Sequence, residues 1–263
     1  MASKQLTGKI AVITGASKGI GQKIAVRLAM EGCDCLLVAR TEQTLAQSAR
    51  EIIKLTGQRI ETAAVDLSSL KGCEQASGTA IRHFGHVDIL VNCAGATKAG
   101  TFLDLPDEDW MDGFDLKFHG AVRLSRLLWP SLASRQGTVI NIGGAATYSP
   151  NPNFMIGGAV NVAMAHFSKA LSLQGLKDDV NVNVVHPGMT VSDRMQTLLE
   201  TQAAAEGITV AQAKLKYILA SGIRRLGQPE DVAELVAFLC SPQARHIQGV
   251  GIPIDGGATT GFH

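Results

Sequence analysis

The chain of 263 residues is 46% hydrophobic and holds 28 glycines, which suits one large α/β domain with a buried core. Its formal net charge of +1 argues against nucleic acid or an anionic membrane as a partner, and no apolar run reaches the roughly 20 residues of a membrane span. Residues 1–8 lack a signal-peptide core and the five cysteines lack zinc spacing, so we expect a cytoplasmic protein without a bound metal.

Short β-branched runs alternate with longer helical stretches along the whole chain. This alternation predicts an α/β fold: a single-domain, Rossmann-type doubly wound parallel sheet of about seven strands, with helices on both faces and one domain over residues 1–263. Strands are predicted at 10–14, 35–39, 60–65, 89–92, 139–142, 180–185 and 250–254. Helices are predicted to begin near Gly19, Glu42, Leu70, Asp112, Gly158 and Glu230. The Ala-, Gln- and Leu-rich stretch 195–222 precedes the seventh strand and is a candidate lid.

A glycine-rich turn follows the first predicted strand and opens the first helix, at Thr14-Gly15-Ala16-Ser17-Lys18-Gly19-Ile20-Gly21. Gly15 permits the tight turn, Gly19 lets backbone amides approach a pyrophosphate, and Gly21 allows close packing of helix on sheet. The N-terminus of the helix then offers unpaired N–H groups and a positive dipole end to phosphates. In this strand–turn–helix context the pattern predicts a dinucleotide site, although glycine turns also occur for structural reasons alone.

The glycine-rich turn is one of several motifs that occur in order along the chain. They are 14–21, Asp66-Leu67, Asn92-Cys93-Ala94-Gly95, Pro187-Gly188, the segment 227–233 and Asp255-Gly256-Gly257. Together they resemble the short-chain dehydrogenase/reductase family, in particular members similar to 3-oxoacyl-carrier-protein reductases. The resemblance implies a nicotinamide cofactor, a small-molecule substrate, and a homodimer or homotetramer built through two long central helices.

The charge at the end of the second predicted strand distinguishes a site for NAD from one for NADP. A site specific for NAD usually places an acid at the end of the second strand, where it would repel a 2′-phosphate. Here that strand ends in Val38-Ala39-Arg40, so Arg40 and Lys18 are predicted to bind the 2′-phosphate of NADP. The alternative is that either base is a solvated surface charge.

The resemblance assigns the remaining cofactor contacts. Asp66 and Leu67 would border the adenine, and Asn92, Ala94 and Gly95 would line the floor of the site. Pro187, Gly188, Thr190 and Ser192 would face the nicotinamide carboxamide; an ordinary Pro-Gly loop is the alternative.

The catalytic side chains of the resembled family are replaced in this chain. Gly144 stands at the serine position, Gly157 at the tyrosine position and Asn161 at the lysine position, while Lys117 stands where the family has an asparagine. The last two suggest that amine and amide have exchanged helices, so that Lys117 still reaches the cofactor ribose or a relayed water. The other interpretation is that the family's lysine and asparagine were lost independently and that Lys117 points to solvent. The two glycines are expected to open space beside the nicotinamide.

Two further side chains are candidate proton donors. Tyr148 lies in the loop after the fifth predicted strand, and His119 follows Lys117 by two residues; either could instead pack against the core or cap a helix. Three functions remain open: an NADP(H)-dependent oxidoreductase of a small carbonyl, imine or conjugated substrate that uses Lys117, Tyr148, Asn161 or water as its proton path; a catalytically inactive cofactor-binding partner; or a non-redox lyase or isomerase.

Overall fold

A seven-stranded parallel sheet forms the centre of the molecule. The computed structural model describes residues 4–261, apart from the side chain of Arg194; residues 1–3 and 262–263 of the predicted domain lie outside the described residues. The strands are β1 (Ile10–Thr14), β2 (Asp34–Ala39), β3 (Ile60–Ala64), β4 (Ile89–Asn92), β5 (Thr138–Ile142), β6 (Asn181–Pro187) and β7 (Gly251–Ile254). Their order is β3-β2-β1-β4-β5-β6-β7.

Helices cover both faces of this sheet. They are α1 (Gly19–Met30), α2 (Glu42–Thr56), α3 (Leu70–Phe84), α4 (Asp107–Phe114), α5 (Gly120–Ser134), α6 (Met155–Asp178), α7 (Asp193–Glu206), α8 (Val210–Ala220) and α9 (Pro229–Cys240). Short 3₁₀ turns lie at Ala145–Thr147 and Pro242–Ala244. Within residues 4–261 no helix is long and apolar enough to cross a membrane. The predicted single-domain, doubly wound α/β fold is confirmed.

The core is divided by the sheet, because successive side chains of a strand point to opposite faces. Ala11 and Ile13 of β1 pack into one cluster with α1, α2 and α9. Val12, between them, packs into the other cluster with α3 and α5. Burial on both faces explains why the strands read as continuous apolar runs in the sequence.

The helix predicted to begin near Asp112 differs most from the structure. α4 already begins at Asp107, and a π-helical turn at Asp115–His119 separates it from α5. Pro106 and the acidic residues of the first turn favour this earlier start. α6 begins at Met155, three residues before the predicted Gly158. Turns of this kind occur often at functional sites, and this one contains Lys117.

The candidate lid consists of two helices rather than one segment. α7 and α8 are joined around Gly207 and share a small apolar cluster of their own. Its buried members are Met195, Leu199, Ala203, Ala213, Ile223 and Leu226.

The order of strand addition reverses between β1 and β4: β2 and β3 lie on one side of β1, and β4 to β7 continue on the other. In open α/β sheets such a switch point, at the carboxyl ends of the strands, forms a crevice for ligands. The glycine turn after β1 and the 92–95 loop after β4 both lie at this edge. The fold therefore places the two strongest sequence motifs side by side.

Candidate active site

The turn between β1 and α1 has the backbone geometry that its glycines permit. Gly15 and Gly19 adopt positive φ angles of 67° and 59°, which residues with side chains rarely adopt. A Cβ on Gly21 would lie 2.3 Å from the carbonyl oxygen of Gly15, so only glycine lets α1 approach the turn this closely. A Cβ on Gly19 would meet no described heavy atom within 4 Å, and the backbone there is accessible to a ligand.

The side chain of Thr14 holds the glycine turn against the loop after β4. Its Oγ1 accepts hydrogen bonds from the backbone N–H groups of Cys93 and Ala94, both at 2.9 Å. Asn92 is buried, and its Nδ2 donates to Asn141 Oδ1 at 2.9 Å. The predicted floor residues Asn92, Ala94 and Gly95 therefore adjoin the turn.

Charge at this edge fits a phosphate-bearing ligand. Within residues 4–261 no side chain caps the N-terminus of α1, and its first turn carries no acid, so the positive end of the helix dipole is available to an anion. Arg40 directly follows β2 and is exposed. The exposed Asp66 accepts a hydrogen bond from Ser68 N–H, and Leu67 beside it is buried.

Three further predicted cofactor residues have protein partners in this structure. Lys18 Nζ donates to Asp193 Oδ2 of α7 at 2.6 Å; both side chains are exposed, so the pair is weak and available for exchange. Ser192 caps α7, its Oγ accepting from Met195 N–H. Thr190 donates to the carbonyl of Gly188 at 3.1 Å.

Lys117 lies in the π turn, and its side chain runs into the protein. The Nζ donates to the carbonyl of Gly143 at 2.9 Å and to Asn161 Oδ1 at 2.6 Å. The aliphatic stem passes over Gly95, where a Cβ would lie 2.9 Å from Lys117 Cδ. The interpretation that Lys117 turns to solvent is therefore wrong. Amine and amide, predicted on opposite helices, are in direct contact.

The expectation that the glycines open space beside the nicotinamide is also wrong, because neighbouring side chains fill that space. A Cβ on Gly144 would lie 2.7 Å from Asn161 Nδ2, and one on Gly143 would lie 2.5 Å from His186 Nδ1. A Cβ on Gly157 would lie 2.0 Å from Cζ of Phe154. The space beside each of these glycines is thus occupied by the side chain of another residue.

The two other candidate proton donors, Tyr148 and His119, have different surroundings. Tyr148 packs edge-on against His186 with ring centroids 5.0 Å apart, and its hydroxyl reaches Gly251 of β7. Burial raises the pKa of Tyr148, so the phenol stays protonated at neutral pH. His119 is exposed and packs on the ring of Phe118; its helix face does not point inward.

Sequence reasoning missed His186 and Phe154. His186 is fully buried at the end of β6, and its Nδ1 lies 3.3 Å from Gly144 N and 3.1 Å from Thr147 Oγ1. It immediately precedes the Pro187-Gly188 motif, and that position was the available signal. Phe154 is three residues before Gly157 at the start of α6, a spacing at which side chains meet.

Comparison with known proteins places the chain in a family. Residues 9–203 match the family model for short chain dehydrogenases. The chain is 30% identical to the 2,3-dihydro-2,3-dihydroxybenzoate dehydrogenase of Bacillus subtilis, over 99% of this chain and 100% of that protein. It is 32% identical to a 3-oxoacyl-acyl-carrier-protein reductase of Vibrio cholerae, over 96% of this chain and 98% of that protein.

A solved structure agrees over nearly the full length. The L-sorbose reductase of Gluconobacter frateurii, solved with NADPH and L-sorbose, superposes with a TM-score of 0.95 at 31% identity and covers 99% of this chain and 100% of that one. With the switch-point crevice and the glycine turn, these matches lead to one conclusion. The chain belongs to the short-chain dehydrogenase family.

Proposed function

We propose that this protein is an NADP(H)-dependent oxidoreductase that acts on a small carbonyl, imine or conjugated substrate through an atypical proton path. The observation that carries the cofactor assignment is the glycine turn at the positive end of α1, flanked by Arg40 and Lys18 without a carboxylate at the end of β2. A carboxylate there would repel a 2′-phosphate, whereas two cations attract it. The L-sorbose reductase, which is similar in structure, was solved with NADPH.

The predicted cofactor residues would contact different parts of NADP. Gly15, Ser17, Gly19, Ile20 and Gly21 would hold the pyrophosphate; Arg40 and Lys18 would hold the 2′-phosphate. Asp66 and Leu67 would border the adenine. Asn92, Ala94, Gly95, Pro187, Gly188, Thr190 and Ser192 would line the remainder of the site. To bind the phosphate, Lys18 must leave Asp193, which their exposure permits.

When bound, the reduced nicotinamide supplies a hydride. The chain's own contribution would be the Lys117–Asn161 pair. The Lys117 ammonium is the group that bears the proton. Asn161 Oδ1 accepts a hydrogen bond from its Nζ at 2.6 Å and holds the ammonium in place. Because Oδ1 accepts from the ammonium, Nδ2 of Asn161 faces Gly144, the position from which the family's serine holds the substrate oxygen. Asn161 Nδ2 would donate a hydrogen bond there in place of the hydroxyl.

Tyr148 is the second candidate for proton delivery. Its raised pKa keeps the phenol in the donor form, but its hydroxyl reaches Gly251 rather than the space over Gly157. We therefore rank it behind Lys117. We further infer that α7 and α8, with their separate apolar cluster, form the lid over the substrate, and that the protein works in the cytoplasm.

Cofactor binding tests the assignment directly. We expect NADPH to bind at least tenfold more tightly than NADH, as measured by quenching of tryptophan fluorescence. Removing a charge-assisted hydrogen bond costs about 1.5–3 kcal/mol, so Arg40→Ala should weaken NADPH binding by roughly 10- to 150-fold and leave NADH binding unchanged. Lys23→Ala, which removes a cation of α1 paired with Glu230, is the control. Equal affinities for NADH and NADPH in the wild type would overturn the choice of cofactor.

An inactive cofactor-binding partner is the second candidate. The replacement of the tyrosine by Gly157, with Phe154 over it, favours this function. A panel of ketones, imines and enones decides between the two in single-turnover experiments. Tight NADPH binding without NADPH oxidation by any of them would establish the inactive partner. Product formation without a change in NADPH absorbance would instead indicate a lyase or isomerase.

A further inference from the structure

The ring of Phe154 stands where the side chain of residue 157 would begin. A Cβ on Gly157 would lie 2.0 Å from Cζ, 2.1 Å from Cε1 and 2.6 Å from Cε2 of this ring. These distances are far below any real contact, so the ring tip and a side chain at 157 exclude each other. Gly157 is buried and Phe154 is half-buried.

The backbone around Phe154 is fixed on both sides. Its N–H donates to the carbonyl of Asn151 at 3.0 Å, and its carbonyl accepts from Gly158 N–H at 3.0 Å. The preceding residue, Asn153, accepts a hydrogen bond from Gly100 N–H in the loop after β4. The ring is thus presented from a constrained loop that is hydrogen-bonded to α6 and to the loop after β4.

The ring lies on the same side of α6 as the polar pair of the site. Gly157 and Asn161 are four residues apart in α6, so they share one helix face. A substrate placed against that face would meet Asn161 and Lys117 at one end and the phenyl ring at the other. The phenyl group has no O–H to donate, and its surface is apolar.

We infer that Phe154 is a specificity-determining residue: its ring forms an apolar wall of the substrate site in place of the family's tyrosine and selects substrates with a flat aryl group near the polar reacting group. The inference rests on the proposed function and refines its substrate class. The oxygen or nitrogen of the substrate faces Lys117–Asn161, and its apolar ring packs on Phe154.

Binding of two ketone probes tests this preference. 4-Phenyl-2-butanone and 2-butanone share the same methyl ketone and differ by one aryl group. They are titrated calorimetrically into protein saturated with NADP⁺, the oxidised cofactor, so that no reduction occurs. Burial of a phenyl group together with an aromatic contact is expected to give at least tenfold tighter binding of the aryl ketone.

The variants assign this preference to Phe154. Phe154→Ala should reduce the affinity ratio of the two ketones at least fivefold, and Phe154→Leu should fall between Ala and the wild type. Phe238→Ala, which removes a half-exposed ring of α9, should leave the ratio unchanged. A wild-type ratio near one, or a Phe154→Ala ratio equal to that of the wild type, would overturn the inference.

A second measurement tests the position of the ring without any ligand. Gly157→Ala should lower the melting temperature, because the new methyl group meets the ring, and the double variant with Phe154→Ala should recover most of that loss. A Gly157→Ala protein as stable as the wild type would place the ring elsewhere and overturn the inference.

NADPH binding to the same preparations separates this inference from the proposed function. Phe154→Ala should bind NADPH like the wild type. If the wild type binds no NADPH, both proposals fail; if it binds NADPH but does not distinguish the two ketones, only the role of Phe154 fails.

Discussion

In the candidate site, two polar side chains from different elements form a direct pair. Lys117 comes from the π turn and Asn161 from α6, yet Nζ and Oδ1 are 2.6 Å apart. The stem of Lys117 needs Gly95 beneath it, and Asn161 needs the small Gly144 beside it. A long flexible side chain makes such a pair feasible, because it can carry its charge across the space between two elements.

Replacing Lys117 by Met removes the ammonium and keeps the aliphatic stem over Gly95. With whichever carbonyl, imine or enone the wild type reduces, we expect kcat to fall by about 10²- to 10⁴-fold, the usual contribution of a positioned proton donor. Stopped-flow oxidation of NADPH measures it, with Lys23→Met as the control. A Lys117→Met enzyme with wild-type kcat would exclude Lys117 from the proton path.

At the scale of elements, α5 and α6 form an apolar surface on the outside of the sheet. Between them lies a groove of about 460 Å³. Within it, Trp129 Nε1 donates to Asp178 Oδ2 at 2.7 Å. The groove is lined by Val122, Ser125, Arg126, Trp129, Pro130, Phe167, Leu171, Gln174 and Asp178. These are the two long helices through which we propose a homodimer or homotetramer, since a paired copy would bury this apolar surface.

Leu171→Glu places a charge in the α5–α6 groove and should dissociate the oligomer, because an unpaired charge buried at an interface is unfavourable. Sedimentation velocity should show the wild type as a dimer or tetramer and Leu171→Glu as a monomer, with circular dichroism verifying that the variant is folded. Leu55→Glu, at an exposed position of α2, serves as the matched control. A wild type that sediments as a monomer would disprove the proposed assembly.

At the scale of the whole molecule, a buried carboxylate joins distant parts of the fold. Asp88, just before β4, is 1% exposed. It accepts from Lys9 Nζ at 2.9 Å, from Ile10 N–H at 2.9 Å and from Arg135 Nε at 3.1 Å. Burial alone would raise the pKa of Asp88, but the hydrogen bonds from Ile10 and Lys9 outweigh it and the pKa is lowered.

The lowered pKa of Asp88 makes the stability depend on pH in a known direction. A depressed pKa stabilises the fold fully above the unfolded value of about 3.9, and this contribution is lost as the pH falls through the folded value. Asp88→Asn should lower the free energy of unfolding at pH 7 by about 1–3 kcal/mol. Urea unfolding between pH 7 and pH 3 should show this difference shrinking towards acid, whereas Asp104→Asn on an exposed loop should have little effect at any pH. A difference that persists unchanged at pH 3 would contradict the role of the carboxylate.

The sheet, its flanking helices and the glycine turn could be predicted from the sequence, because they depend on local periodicity and on backbone angles that few residues allow. The sequence also marked Gly144, Gly157 and Asn161 as positions at which the family resemblance implies a serine, a tyrosine and a lysine. What surrounds the glycines follows only from the packing of the elements: Phe154 lies over Gly157, Asn161 beside Gly144 and His186 beside Gly143. Such contacts join residues from different elements, and their close packing depends on how those elements meet rather than on any pattern along the chain. For the same reason the inward course of Lys117 could be stated from the sequence only as one of two alternatives.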